Sequence, residues 1–162
     1  MTASLVDVQN VSKTFPLRGG FARGSEQRIT AVADVSFSMA DGETLGLVGE
    51  SGCGKSTLAK LLVGLLSPTA GEVRVLGRRL AELRAEALRS ARRSVQLIFQ
   101  DPTNSLNPRM TVEEIISEPL VIHRLAPRRE RRERVVTLLE TVQLPAQYLS
   151  RVPRELSGGE RQ

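Results

Sequence analysis

At 162 residues, 40% of them hydrophobic and 25% charged, the chain can bury a sizeable core, and its net charge of +5 is too small for a disordered polyelectrolyte. A single cysteine, Cys53, excludes an internal disulfide framework. The opening MTASLVDVQN lacks the basic-then-apolar order of a secretory leader, and no run approaches the roughly 18 apolar residues of a membrane span, so a cytosolic protein is expected.

In chain order, SLVDVQNVSKTF alternates as a strand does, PLRGGFARGSEQR is a loop rich in glycine and arginine, and ITAVADVSFSM repeats the half-buried strand pattern before the turn ADGE. TLGLVG is apolar on both faces, as a central strand of a covered parallel sheet would be, and STLAKLLVGLL follows at helical spacing. GEVRVLG predicts a strand, LAELRAEALRSAR a helix with Leu80, Leu83, Ala87, Leu88 and Ala91 inward, and SVQLIFQ another strand. Beyond Gln100 the character changes. DPTNSLNPRM is turn chemistry, Thr111 and Glu114 are spaced as a capping box, and the helix they start should kink or end at Pro119. In RLAPRRERRERVV, Glu130 and Arg134 are four apart, as are Arg129 and Glu133, while Val135, Leu138, Leu139 and Val142 form an apolar stripe. That is a solvated helix face. With aromatic residues at only 3%, no platform for stacking bases is available, and nucleic acid is not expected as a partner. The pattern as a whole predicts an α/β core followed by a mostly helical subdomain over residues 101–155, inserted after a strand.

The strongest chemical signal is GESGCGKST, Gly49 to Thr57, which satisfies G-x-x-x-x-G-K-[ST] between a predicted strand and a predicted helix. Gly49, Gly52 and Gly54, with Ser51 and Cys53 between them, let the backbone curl so that N–H groups from Gly52 to Thr57 point at phosphate oxygens. Lys55 adds a point charge for the β- and γ-phosphates, and the Ser56 hydroxyl is a hard oxygen ligand for Mg²⁺. A glycine-rich turn that only capped a helix would not require Lys and Ser side by side. Cys53 could have its thiol activated by the helix start, but a small residue filling a tight loop explains it better.

The second signal is LSGGERQ, Leu156 to Gln162. Ser157 and Glu160 form a capping box that starts a helix at Gly158, and a helix start exposes unpaired N–H groups and the positive end of a dipole. An ordinary cap explains Ser157 and Glu160. It leaves the paired glycines Gly158 and Gly159 unexplained.

A phosphate loop, then IFQDP, then LSGGERQ resembles the ATP-binding subunit of ABC transporters, and GETLGLVGESGCGKST with QLIFQDPTNSLNPRMTVEEII is most similar to the ATPases of bacterial oligopeptide, dipeptide and nickel importers. The resemblance covers almost the whole chain. It implies an α/β P-loop NTPase core of the ABC type with an antiparallel β subdomain and an inserted helical subdomain. Residues 1–100 would form the β subdomain and P-loop core, 101–155 the helical subdomain and 156–162 the signature motif.

The same resemblance implies ATP and Mg²⁺ as cofactors and assigns roles to individual positions. Gly49, Ser51, Gly52, Cys53, Gly54, Lys55, Ser56 and Thr57 would form the phosphate loop; Gln100 would approach Mg²⁺ and the attacking water. Phe15 would stack on adenine, although the family often has Tyr there and packing under a hairpin is the alternative. Ser157, Gly158 and Gly159 would offer donors to a γ-phosphate held by a second ATP-binding subunit in a head-to-tail dimer. Two transmembrane permease subunits, and indirectly an extracytoplasmic solute-binding protein, complete the implied assembly, which would place the subunit peripherally on the cytoplasmic face of the bacterial inner membrane.

ABC ATPases continue past the signature into a strand ending in the Walker B Asp, then a catalytic Glu and later a switch His. The resemblance therefore implies that these residues are the N-terminal part of one ATP-binding domain, with the C-terminal part of the core missing. By itself such a piece is expected to be poorly competent for hydrolysis and, with an uncovered sheet edge, marginal in stability. His123, within VIHRL before the signature, does not match the switch His. Two other readings remain open: a soluble ABC-type ATPase of DNA repair or translation, and a non-catalytic piece that binds membrane subunits.

Overall fold

The computed structural model describes residues 4–17, 27–99 and 105–162. The chain forms two compact units, residues 1–97 and 98–162.

In the first unit β1 (Val6–Pro16) is the middle strand of a three-stranded sheet, antiparallel to β2 (Arg28–Met39) on one side and to β3 (Ala70–Val75) on the other. Val8 and Val11, 1% and 0% exposed, lie three apart because the β1–β2 register shifts between them. Asn10 sits at φ 48° inside that bulge, its N–H donating to Ser36 Oγ at 2.8 Å and its side-chain amide to Asp34 Oδ1 at 3.0 Å. α1 (Lys55–Leu62) lays Leu58 and Leu61 on the core formed by Val8, Val11, Val32, Val73 and Val75.

LAELRAEALRSAR does not form one helix. A short 3₁₀ turn, Leu80–Glu82, is followed by extended backbone at Leu83 and Arg84 and then by α2 (Ala85–Ala91). Leu80 and Ala91 are buried as expected, but Ala87 is exposed, since the extended pair shifts the helical phase. TLGLVG and SVQLIFQ also differ from expectation. Among the described residues neither run has a ladder partner, and Val48 and Ile98 are 94% and 85% exposed. A strand apolar on both faces needs a hydrogen-bonded neighbour and a covering layer; TLGLVG is exposed throughout, and in SVQLIFQ Val95 packs against the core but without a ladder partner among the described residues.

The second unit packs α3 (Val112–Ile122) and α4 (Arg128–Thr141) around Val112, Leu120, Val135 and Leu139, with Leu149 and Leu156 from the segments that follow. Thr111 caps α3 through the expected box with Glu114. Pro119 does not end α3, which runs on to Ile122; so near the C-terminus the missing N–H removes a single ladder bond while Leu120 stays buried. Only half of the α4 stripe is core: Val135 and Leu139 are buried, Leu138 and Val142 exposed. The charges also pair differently, Arg129 with Glu130 and Arg132 with Glu113 on α3. No helix among the described residues is long and apolar enough to cross a membrane.

Candidate functional site

The segment from Gly49 to Gly54 runs directly into α1. Gly54, the residue before the helix, sits at φ 98°, and a Cβ there would stand 2.0 Å from the carbonyl oxygen of Ala31 on β2. Both torsion and space therefore demand glycine, and the demand docks the loop on the sheet. Gly52, at φ 84°, is required by torsion alone. Cys53 packs its sulfur where a Cβ on Gly49 would lie, at 2.7 Å, as a small residue filling a tight loop does.

No side chain caps α1, and among the described residues the N–H groups of Lys55, Ser56 and Thr57 find no acceptor. The Lys55 ammonium folds over the loop, donating to the carbonyls of Gly49 at 2.7 Å and Glu50 at 2.5 Å and lying 3.4 Å from Cys53 Sγ. Ser51 and Ser56 are exposed. Three free N–H groups, a helix dipole and an ammonium within one turn make a site for an oxyanion.

Sheet register places Phe15 on the strand next to the one on which this loop docks. Phe15 pairs with Ile29, two residues along β2 from Ala31, a strand distance of about 7 Å. Its ring is 36% exposed, and Lys13 Nζ stands 5.2 Å from its centroid while donating to Ser67 O at 2.7 Å. An accessible aromatic residue thus lies on the sheet against which the Gly49–Gly54 loop docks. Gln100 lies outside the described residues.

In the second unit α5 (Gly158–Arg161) begins at the expected box: Ser157 Oγ accepts from the Glu160 N–H at 3.3 Å, and Ser157 N–H donates to Glu160 Oε2 at 2.6 Å. Added Cβ atoms at Gly158 and Gly159 would meet nothing within 4 Å, and neither glycine has a positive φ. Among the described residues nothing requires glycine at either place. The sequence also gave no sign of Tyr148, which lies on a short 3₁₀ turn, Ala146–Ser150, and donates its hydroxyl to Glu160 Oε1 at 2.5 Å. That bond, with the Ser157 N–H and hydroxyl, lowers the Glu160 carboxyl to about 2, and it raises the Tyr148 phenol above its usual value. A contact reaching twelve residues along the chain from an irregular turn follows no periodicity.

Residues 32–162 match the family described as ABC transporter. The chain belongs to the ABC transporter family. It is 46% identical over 162 residues to the probable peptide ABC transporter ATP-binding protein y4tS of Sinorhizobium fredii, covering 100% of this chain and 46% of that protein. It is 44% identical to the oligopeptide transport ATP-binding protein AppF of Bacillus subtilis, covering 98% of this chain and 49% of that one. The chain thus spans about half the length of these curated relatives. Among solved structures, the ATP-binding cassette MJ0796, in a dimer bound to ADP and Pi, superimposes with a TM-score of 0.78 at 30% identity over 96% of this chain and 65% of that one. The fold is accordingly that of an ABC ATPase cassette, and the antiparallel sheet with its helices is the portion of that fold present here.

Proposed function

We propose that this ABC transporter chain is the nucleotide-binding part of an ATPase subunit that drives import of peptides or a similar small solute. The observation that carries the reading is the phosphate loop: Gly54 locked against Ala31 O, three unpaired N–H groups at the start of α1, and Lys55 beside them. ATP fits this donor set, its phosphates on the Gly49–Thr57 loop and its adenine against Phe15. The Ser56 hydroxyl, which has no partner among the described residues, suits a hard cation already bound to phosphate oxygens, and Gln100 would complete the Mg²⁺ site. Mg²⁺ would supply charge neutralisation between the β- and γ-phosphates. Lys55 neutralises the same oxygens, and Gln100 would orient the attacking water.

Ser157, Gly158 and Gly159 support the second half of the proposal. Their open surroundings fit a backbone approached from outside the chain, as by the γ-phosphate held on the P-loop of a second subunit arranged head to tail. Under this reading residues 101–155 are the helical subdomain and 156–162 the signature. The subunit sits peripherally on the cytoplasmic face of the inner membrane with two permease subunits, receiving solute from an extracytoplasmic binding protein. The identities to peptide and oligopeptide ATP-binding proteins support a peptide-like solute. Titration calorimetry with MgATP on the wild type and Lys55→Ala tests the cradle: binding should be lost in the variant, and equal binding by both defeats the assignment.

A further inference from the structure

Glu160 makes more contacts than a helix cap needs. In a capping box the carboxylate binds one backbone N–H, here Ser157 N–H through Oε2, and the second oxygen is free. Here the second oxygen, Oε1, is taken by the Tyr148 hydroxyl at 2.5 Å. Tyr148 is itself held by its neighbours. The Arg151 guanidinium stacks on its ring at 4.0 Å from the centroid, and the neighbouring Leu149 is buried in the helical core. The Arg151 carbonyl accepts from Val112 N–H at 2.8 Å, which joins this turn to the start of α3. Leu156, immediately before the signature serine, is buried in the same core, and its carbonyl accepts from Arg161 Nε at 3.0 Å. The phenol therefore connects the helical core to the carboxylate that caps Ser157–Gly159.

We infer that Tyr148 is a positioning residue for the signature motif, holding Glu160 so that the Ser157–Gly159 backbone keeps the orientation in which it meets nucleotide. The inference rests on the reading of Ser157–Gly159 given above. Without the phenol, Glu160 still caps, but one carboxylate oxygen is released and the start of α5 loses its side-chain tie to the turn that carries Tyr148.

The test uses Tyr148→Phe, which keeps the ring, its stacking on Arg151 and its packing while removing the hydroxyl. Within these 162 residues Tyr148 is the only tyrosine and there is no tryptophan, so in a chain of this length tyrosine absorbance reports this group alone. The phenol of the wild type should ionise above the usual pH range, and Glu160→Gln should bring that midpoint back down. In Tyr148→Phe the backbone amides of Ser157 and Glu160 should exchange with solvent about tenfold faster than in the wild type, the scale of one lost hydrogen bond to a charged group. In the intact protein kcat for ATP should fall about as much while MgATP affinity at the phosphate loop is unchanged, a split that simple loss of folded protein does not produce. Unchanged amide exchange, or unchanged kcat, overturns the inference. Failure of the functional reading looks different: wild type and Lys55→Ala would then show the same turnover, and the amides and phenol still decide whether the latch exists.

Discussion

Replacing Gly158 and Gly159 with alanine separates what the fold needs from what an external partner needs. Neither residue has a positive φ, both lie in α5, and the added methyl groups would touch nothing within 4 Å. Glycine in a helix is less favourable than alanine by roughly 0.5–1 kcal/mol, and at the helix start the lower value applies, so the double variant should gain about 1 kcal/mol. For a chain of 162 residues that is a rise in Tm of about 2–4 °C. The same methyl groups would stand between the backbone donors and a phosphate arriving from a second subunit. Misplacing that approach by even a few tenths of an ångström should reduce kcat by about tenfold or more, equivalent to about 1.4 kcal/mol of lost transition-state contact. The assays are differential scanning calorimetry on these 162 residues and steady-state ATP turnover on the intact protein. A fall in Tm would show that the glycines serve the fold, and undiminished turnover in a stabilised variant would show that nothing approaches them.

Gly54→Ala should behave in the opposite way, because a Cβ would stand 2.0 Å from Ala31 O at φ 98°; the left-handed torsion alone costs about 1–2 kcal/mol, and a drop in Tm of at least about 2 °C with weakened MgATP binding is expected. Urea unfolding should place Leu139→Ala, with the side chain 1% exposed, about 2–5 kcal/mol below the wild type, whereas Leu138→Ala, 46% exposed, should stay within about 1 kcal/mol. Glu160 has a folded-state value of about 2 against an ordinary 4.5 because Tyr148 and Ser157 donate to it. A lowered carboxyl stabilises the folded form above its ordinary value and loses that contribution as pH falls toward the folded one. Protection of the α5 amides should therefore decline between pH 4.5 and about 2, and Glu160→Gln should flatten the decline.

The sequence was most legible where one local rule decides the outcome. The two capping boxes, Thr111–Glu114 and Ser157–Glu160, form as spaced, because a cap needs only residues three apart. The turn into α1 was readable for the same reason: Gly54 and Lys55 are adjacent to the helix they begin. The β1–β2–β3 sheet could be read as strands but not in register, since the bulge at Asn10 depends on its bonds to Asp34 and Ser36 across the sheet. TLGLVG and SVQLIFQ show the limit of periodicity. Their apolar character is a demand for neighbours, and a demand does not supply them.

The glycines extend that distinction to function. Gly54 is explained by the chain's own atoms, since it must pass under Ala31 O in a torsion closed to other residues. Gly158 and Gly159 are not explained that way; their torsions are ordinary and their surroundings open. A residue less favourable than alanine in a helix, with no cause among the described residues, fits the close approach of a phosphate proposed for this segment. Tyr148 sharpens the point, because the segment carrying these two otherwise unnecessary glycines is held by a phenol, a carboxylate and a buried leucine. These tertiary contacts restrain the flexibility that glycine introduces, and close approach is the property the proposed role would use. If replacing Tyr148 loosened the segment while Gly158→Ala left turnover intact, flexibility rather than access would be the property in use, and the head-to-tail reading of Ser157–Gly159 would fail with it.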